Sequence, residues 1–148
     1  AMDSSEKVRV SCVRCGATNN FPLDAAGKTV VCGRCKSPLP QPGTILEFPP
    51  GSSQNWLYSA GLPVLIDFYS PTCGPCLMMH PIVERLAKRR AGEIMVVRIN
   101  TDQNPEFSAR FRIQAVPTFV VLSKGTERGR TSGAMPEADF SLWVASRV

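Results

Sequence analysis

The part of the chain that follows residue 60 alternates between two patterns of apolar residues. Three segments are mostly apolar and rich in β-branched and aromatic residues, which predicts buried strands. They are PVLIDFY (63–69), IMVVRIN (94–100) and TFVVLS (118–123). After the first, Met79, Ile82, Val83 and Leu86 follow the i, i+3, i+4, i+7 spacing of an amphipathic helix.

Further elements extend this alternation. Asn104 followed by Pro105 predicts a helix start with a capping residue and a first-turn proline. PEADFSLWVASRV predicts a closing helix, KGTERGR a turn into a fourth strand, and QNWLYSA a short helix capped by Ser52 or Ser53. Because strands alternate with helices, we expect an α/β fold with a mixed central sheet flanked by helices.

The first 40 residues follow neither pattern. They are turn-rich and poor in large apolar side chains, and so short a segment needs a metal, disulfides or a neighbouring domain to fold. A proline-rich stretch follows, KSPLPQPGTILEFPPG (36–51), of the kind that forms a semi-rigid connector. We therefore expect a small domain at 1–40, a linker with the first strand region at 41–51, and the α/β domain at 52–148.

Four cysteines dominate the small domain. Cys12 and Cys15, then Cys32 and Cys35 after a gap of sixteen residues, have the spacing of a tetrathiolate zinc site. Two tight turns, brought together by a hairpin, would place four sulfurs around one ion, and Gly16 and Gly33 would help the turns form. Four protein ligands would make the zinc structural. Two disulfides among these cysteines are the alternative to zinc. If zinc is bound, the ribbon could recognise a partner, or the metal could serve only to keep the segment folded.

The third pair, Cys73 and Cys76, lies where a predicted strand passes into a helix. Pro75 suits the first turn of that helix. Cys73 would then sit at a helix N-terminus, where free N–H groups and the helix dipole favour the nucleophilic thiolate. Cys76, one turn further, would be less exposed and placed to resolve a mixed disulfide. A third metal half-site or a structural pair is the alternative, but no further cysteine pair remains to complete such a site.

Charge and hydropathy exclude several classes of function. The net charge is +5, which a zinc tetrathiolate would lower to +3. The 1–40 segment, with six basic and three acidic residues, would then carry only +1, too weak a field to indicate nucleic-acid binding. No apolar run approaches the ~20 residues of a membrane span, and the N-terminus shows no signal peptide. We expect a cytoplasmic protein without a membrane partner.

Three longer stretches resemble the thioredoxin family over most of residues 44–148: VLIDFYSPTCGPCLMMHPIVERLA, VVRINTDQNPEFSARFRIQAVPTFVVLSKG and SGA. The combination of Cys-Gly-Pro-Cys with a downstream Val-Pro-Thr is specific. The four-cysteine extension is similar to that of the zinc-binding second type of bacterial thioredoxin (thioredoxin 2). The resemblance implies a thioredoxin-like fold and a protein-disulfide reductase.

The resemblance also implies roles for individual residues. Cys73 matches the attacking cysteine, Cys76 the resolving one and Asp67 the buried aspartate that assists proton transfer. From the residues alone, Asp67 is either buried with a raised pKa or turned to solvent at the strand end. Pro117 matches a cis-proline facing the cysteines. The family's substrate groove corresponds to Gly74, Pro75, Val116, Pro117 and Gly133.

The partners implied are disulfide-containing proteins and an NADPH-dependent thioredoxin reductase, to which the NADPH and FAD would belong; we expect a monomer.

Four residues depart from the family pattern. Thr72 and Tyr69 stand where the family usually has tryptophan, Leu77 where it is commonly basic, and Arg98 where a lysine often neighbours the aspartate. These four departures leave the substrate preference and the reduction potential open.

The alternative function is a zinc-ribbon module that binds protein or nucleic acid, with the second domain as a scaffold or a redox sensor.

Overall fold

The structure is a computed structural model that describes residues 7–12, 15, 17–22, 31–36, 39, 43–48, 50, 57 and 61–148. Its strands are β1 (Lys7–Ser11), β2 (Thr18–Pro22), β3 (Ile45–Glu47), β4 (Val64–Tyr69), β5 (Met95–Asn100), β6 (Thr118–Ser123) and β7 (Thr126–Ser132). Its helices are α1 (Gly74–Arg89), α2 (Pro105–Arg110) and α3 (Glu137–Arg147). No helix within the described ranges is long and apolar enough to cross a membrane.

Five strands form one mixed sheet in the order β3-β5-β4-β6-β7. β3, β5 and β4 run parallel, whereas β6 and β7 are antiparallel to their neighbours. The predicted mixed sheet is confirmed. β4 lies at the centre, and all six of its residues are buried, as expected for a strand covered on both faces.

Apolar side chains cover the two faces of this sheet separately. On one face, α2 contributes Phe107, whose ring lies 5.1 Å from that of Phe48. On the other face, α1 and α3 pack against the sheet, and Phe119 lies 4.8 Å from Phe140. The predicted stripe of α1 is confirmed, since Met79, Val83 and Leu86 are buried there and Ile82 is partly buried.

One local expectation differs from the structure, and another falls mostly outside the described residues. Asn104 stands at the N-cap of α2, but its side chain makes no capping hydrogen bond. Its amide instead donates to the carbonyl oxygen of Asn100, 3.0 Å away. The side chain is buried, and its amide supplies a hydrogen bond to the carbonyl group of the preceding turn. It makes no hydrogen bond to the free N–H groups at the start of α2. The predicted helix over QNWLYSA lies outside the described residues apart from Leu57, which is helical and buried.

The four-cysteine segment contains a separate antiparallel hairpin, in which Lys7 pairs with Pro22 and Ser11 with Thr18. The turn that holds Cys12 is closed by its own N–H, which donates to Ala17 O at 2.8 Å. The second turn is closed by Lys36 N–H and Cys32 O at 2.9 Å. Its left-handed residue is Lys36, with φ 65°, whereas Gly33, a residue expected to help the turn form, is not left-handed. Gly16 lies outside the described residues. The chain thus leaves that turn one residue after Cys35.

Candidate redox and metal sites

The Cys73–Cys76 pair lies at the point where β4 turns into α1. Cys73 is the N-cap of the helix, and its Sγ accepts a hydrogen bond from the backbone N–H of Cys76 at 3.1 Å. The two cysteines form a disulfide with a Cα–Cα distance of 5.2 Å, within the usual range. Cys73 is partly exposed, whereas Cys76 is only 4% exposed. Of the two sulfurs, therefore, Cys73 is the one that a substrate can reach.

The loop before β6 lies directly against the Cys73 sulfur. The Val116–Pro117 peptide is cis, and Val116 O is 3.6 Å from Cys73 Sγ. Gly133 follows β7, and its N–H donates to Pro117 O at 2.9 Å. Three of the five residues predicted for the substrate groove thus lie together near the sulfur, with Val116 and Gly133 half-buried and Pro117 buried between them. The other two, Gly74 and Pro75, are exposed in the first turn of α1.

Gly133 has a backbone conformation that favours glycine. Its φ of +91° lies in the left-handed region, which a side chain disfavours. A Cβ at this position would meet nothing of this chain within 4 Å, so the space beside it is open. The backbone turn thus favours glycine, and the role expected for Gly133 in a substrate groove stays a prediction.

Asp67 is buried in the middle of β4, with 2% of its surface exposed. It alternates with Leu65 on the face that packs against α1. Its Oδ2 is 3.7 Å from Nε of Arg98, too far for a hydrogen bond, and Oδ1 has no partner among the described residues. Burial raises the pKa of Asp67 to about 7, with Arg98 lowering it and Glu47 raising it. The carboxyl can therefore exchange a proton near neutral pH.

Asp67→Asn is expected to stabilise the oxidised protein at pH 8 by roughly 2–4 kcal/mol. The unfolded aspartate releases its proton near pH ~4, whereas the folded one keeps it until the pH passes about 7. The stability that this proton uptake supplies is complete below pH ~4 and is lost as the pH rises through 7. Urea unfolding at pH 4 and pH 8 measures the difference.

The matched control for that substitution is Asp139→Asn, at an exposed aspartate in the first turn of α3. The control is expected to give no gain at either pH. A gain for Asp67→Asn that is equal at pH 4 and pH 8 would contradict the assignment of a raised pKa.

The other four cysteines converge in the hairpin segment. Their sulfur atoms all lie within 4.8 Å of one another. Cys12 Sγ is 3.6 Å from Cys35 Sγ, and Cys15 Sγ is 3.6 Å from Cys32 Sγ. None of the four is disulfide-bonded, so the structure does not contain the two bridges that were the alternative.

This cluster fits a tetrahedral ion. With metal–sulfur bonds of about 2.3 Å, the sulfurs of a tetrathiolate site lie about 3.8 Å apart, close to the observed spacings. N–H groups also point at Cys32 Sγ, from the Arg34 backbone at 3.4 Å and the Asn19 side chain at 3.5 Å. The pKa values of these thiols shift in opposite directions: that of Cys32 is lowered to about 6, mainly by the backbone N–H of Cys35. The pKa of Cys15 is raised to about 11, with the backbone N–H of Ala17 lowering it and burial and the other three thiols raising it. The spacing of the four sulfurs, and not their pKa values, therefore makes the donor set suitable for a soft divalent cation.

The residues that depart from the family pattern surround the redox site in two groups. Thr72 and Leu77 are exposed on either side of the cysteine pair, Leu77 to 67%. Tyr69 and Arg98 lie behind it, with the guanidinium carbon 3.8 Å from the centre of the tyrosine ring. The tyrosine hydroxyl donates to Glu47, a residue that the sequence analysis missed. Only the pairing of β3 with β5, which a single sequence does not reveal, brings Glu47 beside Arg98.

Comparison with known proteins agrees with this geometry. The sequence pattern of the family described as Thioredoxin matches residues 52–146. Thioredoxin C-3 of Corynebacterium nephridii is 34% identical over 139 residues, which cover 94% of each chain. Thioredoxin 1 of a Nostoc species is 39% identical over 80 residues, covering 54% of this chain and 75% of that protein.

Among solved structures, a mutant thioredoxin from Halobacterium salinarum NRC-1 is similar, with a TM-score of 0.63 and 28% sequence identity. The match covers 72% of this chain and 93% of that one. The fold, the family match and the extent of these similarities all indicate the same family. The chain belongs to the thioredoxin family and is a protein-disulfide oxidoreductase.

Proposed function

We propose that the protein reduces disulfides in other proteins through the dithiol of Cys73 and Cys76. One observation carries this proposal. A partly exposed sulfur caps the N-terminus of α1 and lies 3.6 Å from Val116 O, while the second sulfur of the pair is buried one turn behind it. That arrangement offers one sulfur to a substrate and keeps the other for an intramolecular attack.

The reaction begins with the Cys73 thiolate, which the helix N-terminus and the Cys76 N–H stabilise. It attacks one sulfur of the substrate disulfide. A Cys73–substrate disulfide forms, and the other substrate sulfur leaves as a thiolate that takes a proton from water.

Cys76 then resolves this mixed disulfide. Its thiol passes a proton to the Asp67 carboxylate, directly or through water, and the resulting thiolate attacks Cys73 Sγ. The second substrate sulfur leaves, and the substrate has gained two electrons while Cys73 and Cys76 have lost two. The Cys73–Cys76 disulfide is the product state of the protein.

Turnover needs a reductant for that disulfide. We assign this step to a thioredoxin reductase, whose NADPH and FAD would supply two electrons per cycle. This chain needs no nicotinamide or flavin of its own for the steps above. We also propose that it acts as a monomer and in the cytoplasm, where a reducing poise keeps thiols reduced.

The surface beside Cys73 suits an extended segment of a substrate protein. Val116 is half-buried, and its backbone carbonyl lies next to the sulfur, beside buried Pro117 and half-buried Gly133. An extended segment can add to such an edge through main-chain hydrogen bonds, which bind with little regard to sequence. Disulfide-containing proteins of varied sequence are therefore the proposed substrates.

We further propose that Cys12, Cys15, Cys32 and Cys35 hold one structural zinc ion and that residues 1–40 form a zinc ribbon joined by 41–51 to the redox domain at 52–148. The chain would then be of the zinc-binding second type of bacterial thioredoxin. The Corynebacterium nephridii relative supports this, since a match that covers 94% of this chain extends into the four-cysteine segment. Zinc would tie the two turns together and supply folding free energy.

The test of the proposed function is insulin reduction by dithiothreitol, followed as precipitation of the freed insulin chain. The full-length protein at micromolar concentration is expected to shorten the lag and raise the rate in proportion to its concentration. Protein whose thiols have been alkylated after reduction serves as the control. A rate equal to that of dithiothreitol alone would overturn the proposal.

A further inference from the structure

A row of side chains crosses the sheet directly behind the redox site. Glu47 of β3 pairs with Arg98 of β5, Arg98 pairs with Asp67 of β4, and Asp67 pairs with Phe119 of β6. Paired residues on neighbouring strands point to the same face of a sheet. This row, Glu47–Arg98–Asp67, therefore lies on the face that α1 covers, with one cation between two carboxylates.

Tyr69 holds the cation in its place. The tyrosine lies two residues after Asp67, so it points to the same face, and its ring lies under the Arg98 guanidinium, with 3.8 Å between the guanidinium carbon and the ring centre. Its hydroxyl donates to Oε1 of Glu47. Burial raises the pKa of Tyr69 to about 12, so the hydroxyl keeps its proton for this bond. One aromatic side chain thus contacts the cation and fixes the outer carboxylate.

Arg98 does not complete a hydrogen bond to Asp67. Its Nε is 3.7 Å from Asp67 Oδ2, and among the described residues neither Arg98 Nε nor Asp67 Oδ1 has a hydrogen-bond partner. The guanidinium stays near Asp67 without neutralising it. A fully bonded ion pair would keep the aspartate ionised, whereas this spacing leaves the carboxyl able to take a proton.

We propose that Glu47 and Tyr69 are positioning residues for the resolving step, because they hold Arg98 between two carboxylates and so set the pH above which Asp67 accepts a proton from Cys76. This inference rests on the proposed role of Asp67 in disulfide reduction. The outer carboxylate opposes the field of Arg98 at Asp67. The tyrosine keeps both groups at fixed distances.

The other groups that face Asp67 carry no charge that acts on it, so Arg98 and Glu47 set the electrostatic field at its carboxyl. β6 places Phe119 opposite, which carries no charge. α1 places Cys76 in the same layer, and its sulfur does not titrate while the disulfide is intact. His80, also on α1, directs Nε2 to Glu84 at 2.6 Å. The charges that act on Asp67 are those of Arg98, which lowers its pKa, and Glu47, which raises it.

The experiment is a carbon-13 NMR titration of the Asp67 carboxyl in the full-length oxidised protein. Glu47→Gln is expected to lower the midpoint by about half a pH unit, because the opposing charge is gone. Tyr69→Phe keeps the ring but frees Glu47 to move into solvent, so the midpoint falls in the same direction by a smaller amount. Arg98→Met is expected to raise it by about one unit.

Two further variants make the test specific. In the double variant Glu47→Gln/Tyr69→Phe the midpoint is expected to equal that of Glu47→Gln alone, because the hydroxyl acts only through the carboxylate. Glu93→Gln, at an exposed glutamate paired with Arg90 outside this row, is the matched control and leaves the midpoint unchanged. The acid limb of the pH profile of insulin reduction is expected to move with each midpoint.

The outcomes separate this inference from the function on which it rests. If insulin is reduced but Glu47→Gln leaves the midpoint in place or raises it, the positioning role is refuted and the reductase stands. If the wild-type chain reduces no insulin, the function is refuted, whatever the titration gives. Should Arg98→Met not fold, Glu47→Gln and Tyr69→Phe decide the matter, since Glu47 is exposed at the outer end of the row.

Discussion

Cys73→Ser is expected to lower insulin reduction by about a thousandfold or more, to the rate of dithiothreitol alone. A serine hydroxyl keeps its proton at neutral pH even at a helix N-terminus, so the variant has no nucleophile for a disulfide sulfur. The fold has little reason to change, because the residue is partly exposed and serine is a good N-cap. The rate of insulin precipitation measures the loss.

Thr72→Ala is the matched control for that prediction. Thr72 is the exposed neighbour of Cys73, and its hydroxyl contacts only Ser70, 3.3 Å away, within the described ranges. The variant is expected to retain activity within about threefold, as surface substitutions usually do. If Cys73→Ser kept most of the wild-type rate, the reaction would have to use another sulfur, and the assignment of the attacking residue would be wrong.

Cys32→Ser is expected to abolish zinc binding, which in the reduced wild-type chain should reach one ion per molecule. Structural zinc bound by small domains contributes on the order of 10–16 kcal/mol of binding free energy. Its loss should therefore unfold the β1–β2 hairpin. Native mass spectrometry gives the zinc content, and hydrogen exchange at the β1 and β2 amides reports the unfolding. Insulin reduction by the variant is expected to stay within a fewfold of wild type.

Arg34→Ser provides the control for the zinc prediction. Arg34 lies between two of the ligand cysteines, but it is exposed, and among the described residues its hydrogen bond to a sulfur comes from the backbone N–H. It should keep both the zinc and the protected hairpin. A freshly reduced wild-type chain without zinc would contradict the metal assignment. A collapse of insulin reduction in Cys32→Ser would instead show that disulfide reduction depends on the metal site.

The sequence predicts the strands and long helices of the α/β part well, because each is marked by its own local pattern. The continuous apolar run of β4 and the helical stripe of α1 depend on residues close together in the chain. The convergence of four cysteines also follows from their spacing, since each Cys-x-x-Cys turn is local. Local rules fail where a side chain has two possible hydrogen-bond partners. The side chain of Asn104 could cap α2, but its amide donates to the carbonyl oxygen of Asn100 and the cap is not formed.

The details of the redox site are harder to predict. β4 is buried on both faces, so the alternation that would place Asp67 inside or outside is absent from the sequence. The contact between Glu47 and Tyr69 joins residues 22 positions apart, and it depends on the register of β3, β5 and β4. That register is a property of the assembled sheet. The cis peptide before Pro117 was expected only through the family resemblance, and the left-handed backbone of Gly133 was not predicted.

The mass of the covalent adduct formed by Cys76→Ser decides whether Cys73 is the sulfur that attacks the substrate. Without the resolving thiol, the reduced variant mixed with a disulfide-bonded peptide should stop at the mixed disulfide. We expect one adduct per chain, mapped by proteolysis to Cys73 and released by dithiothreitol. An adduct on a cysteine of the 12–35 cluster, or none at all, would contradict it.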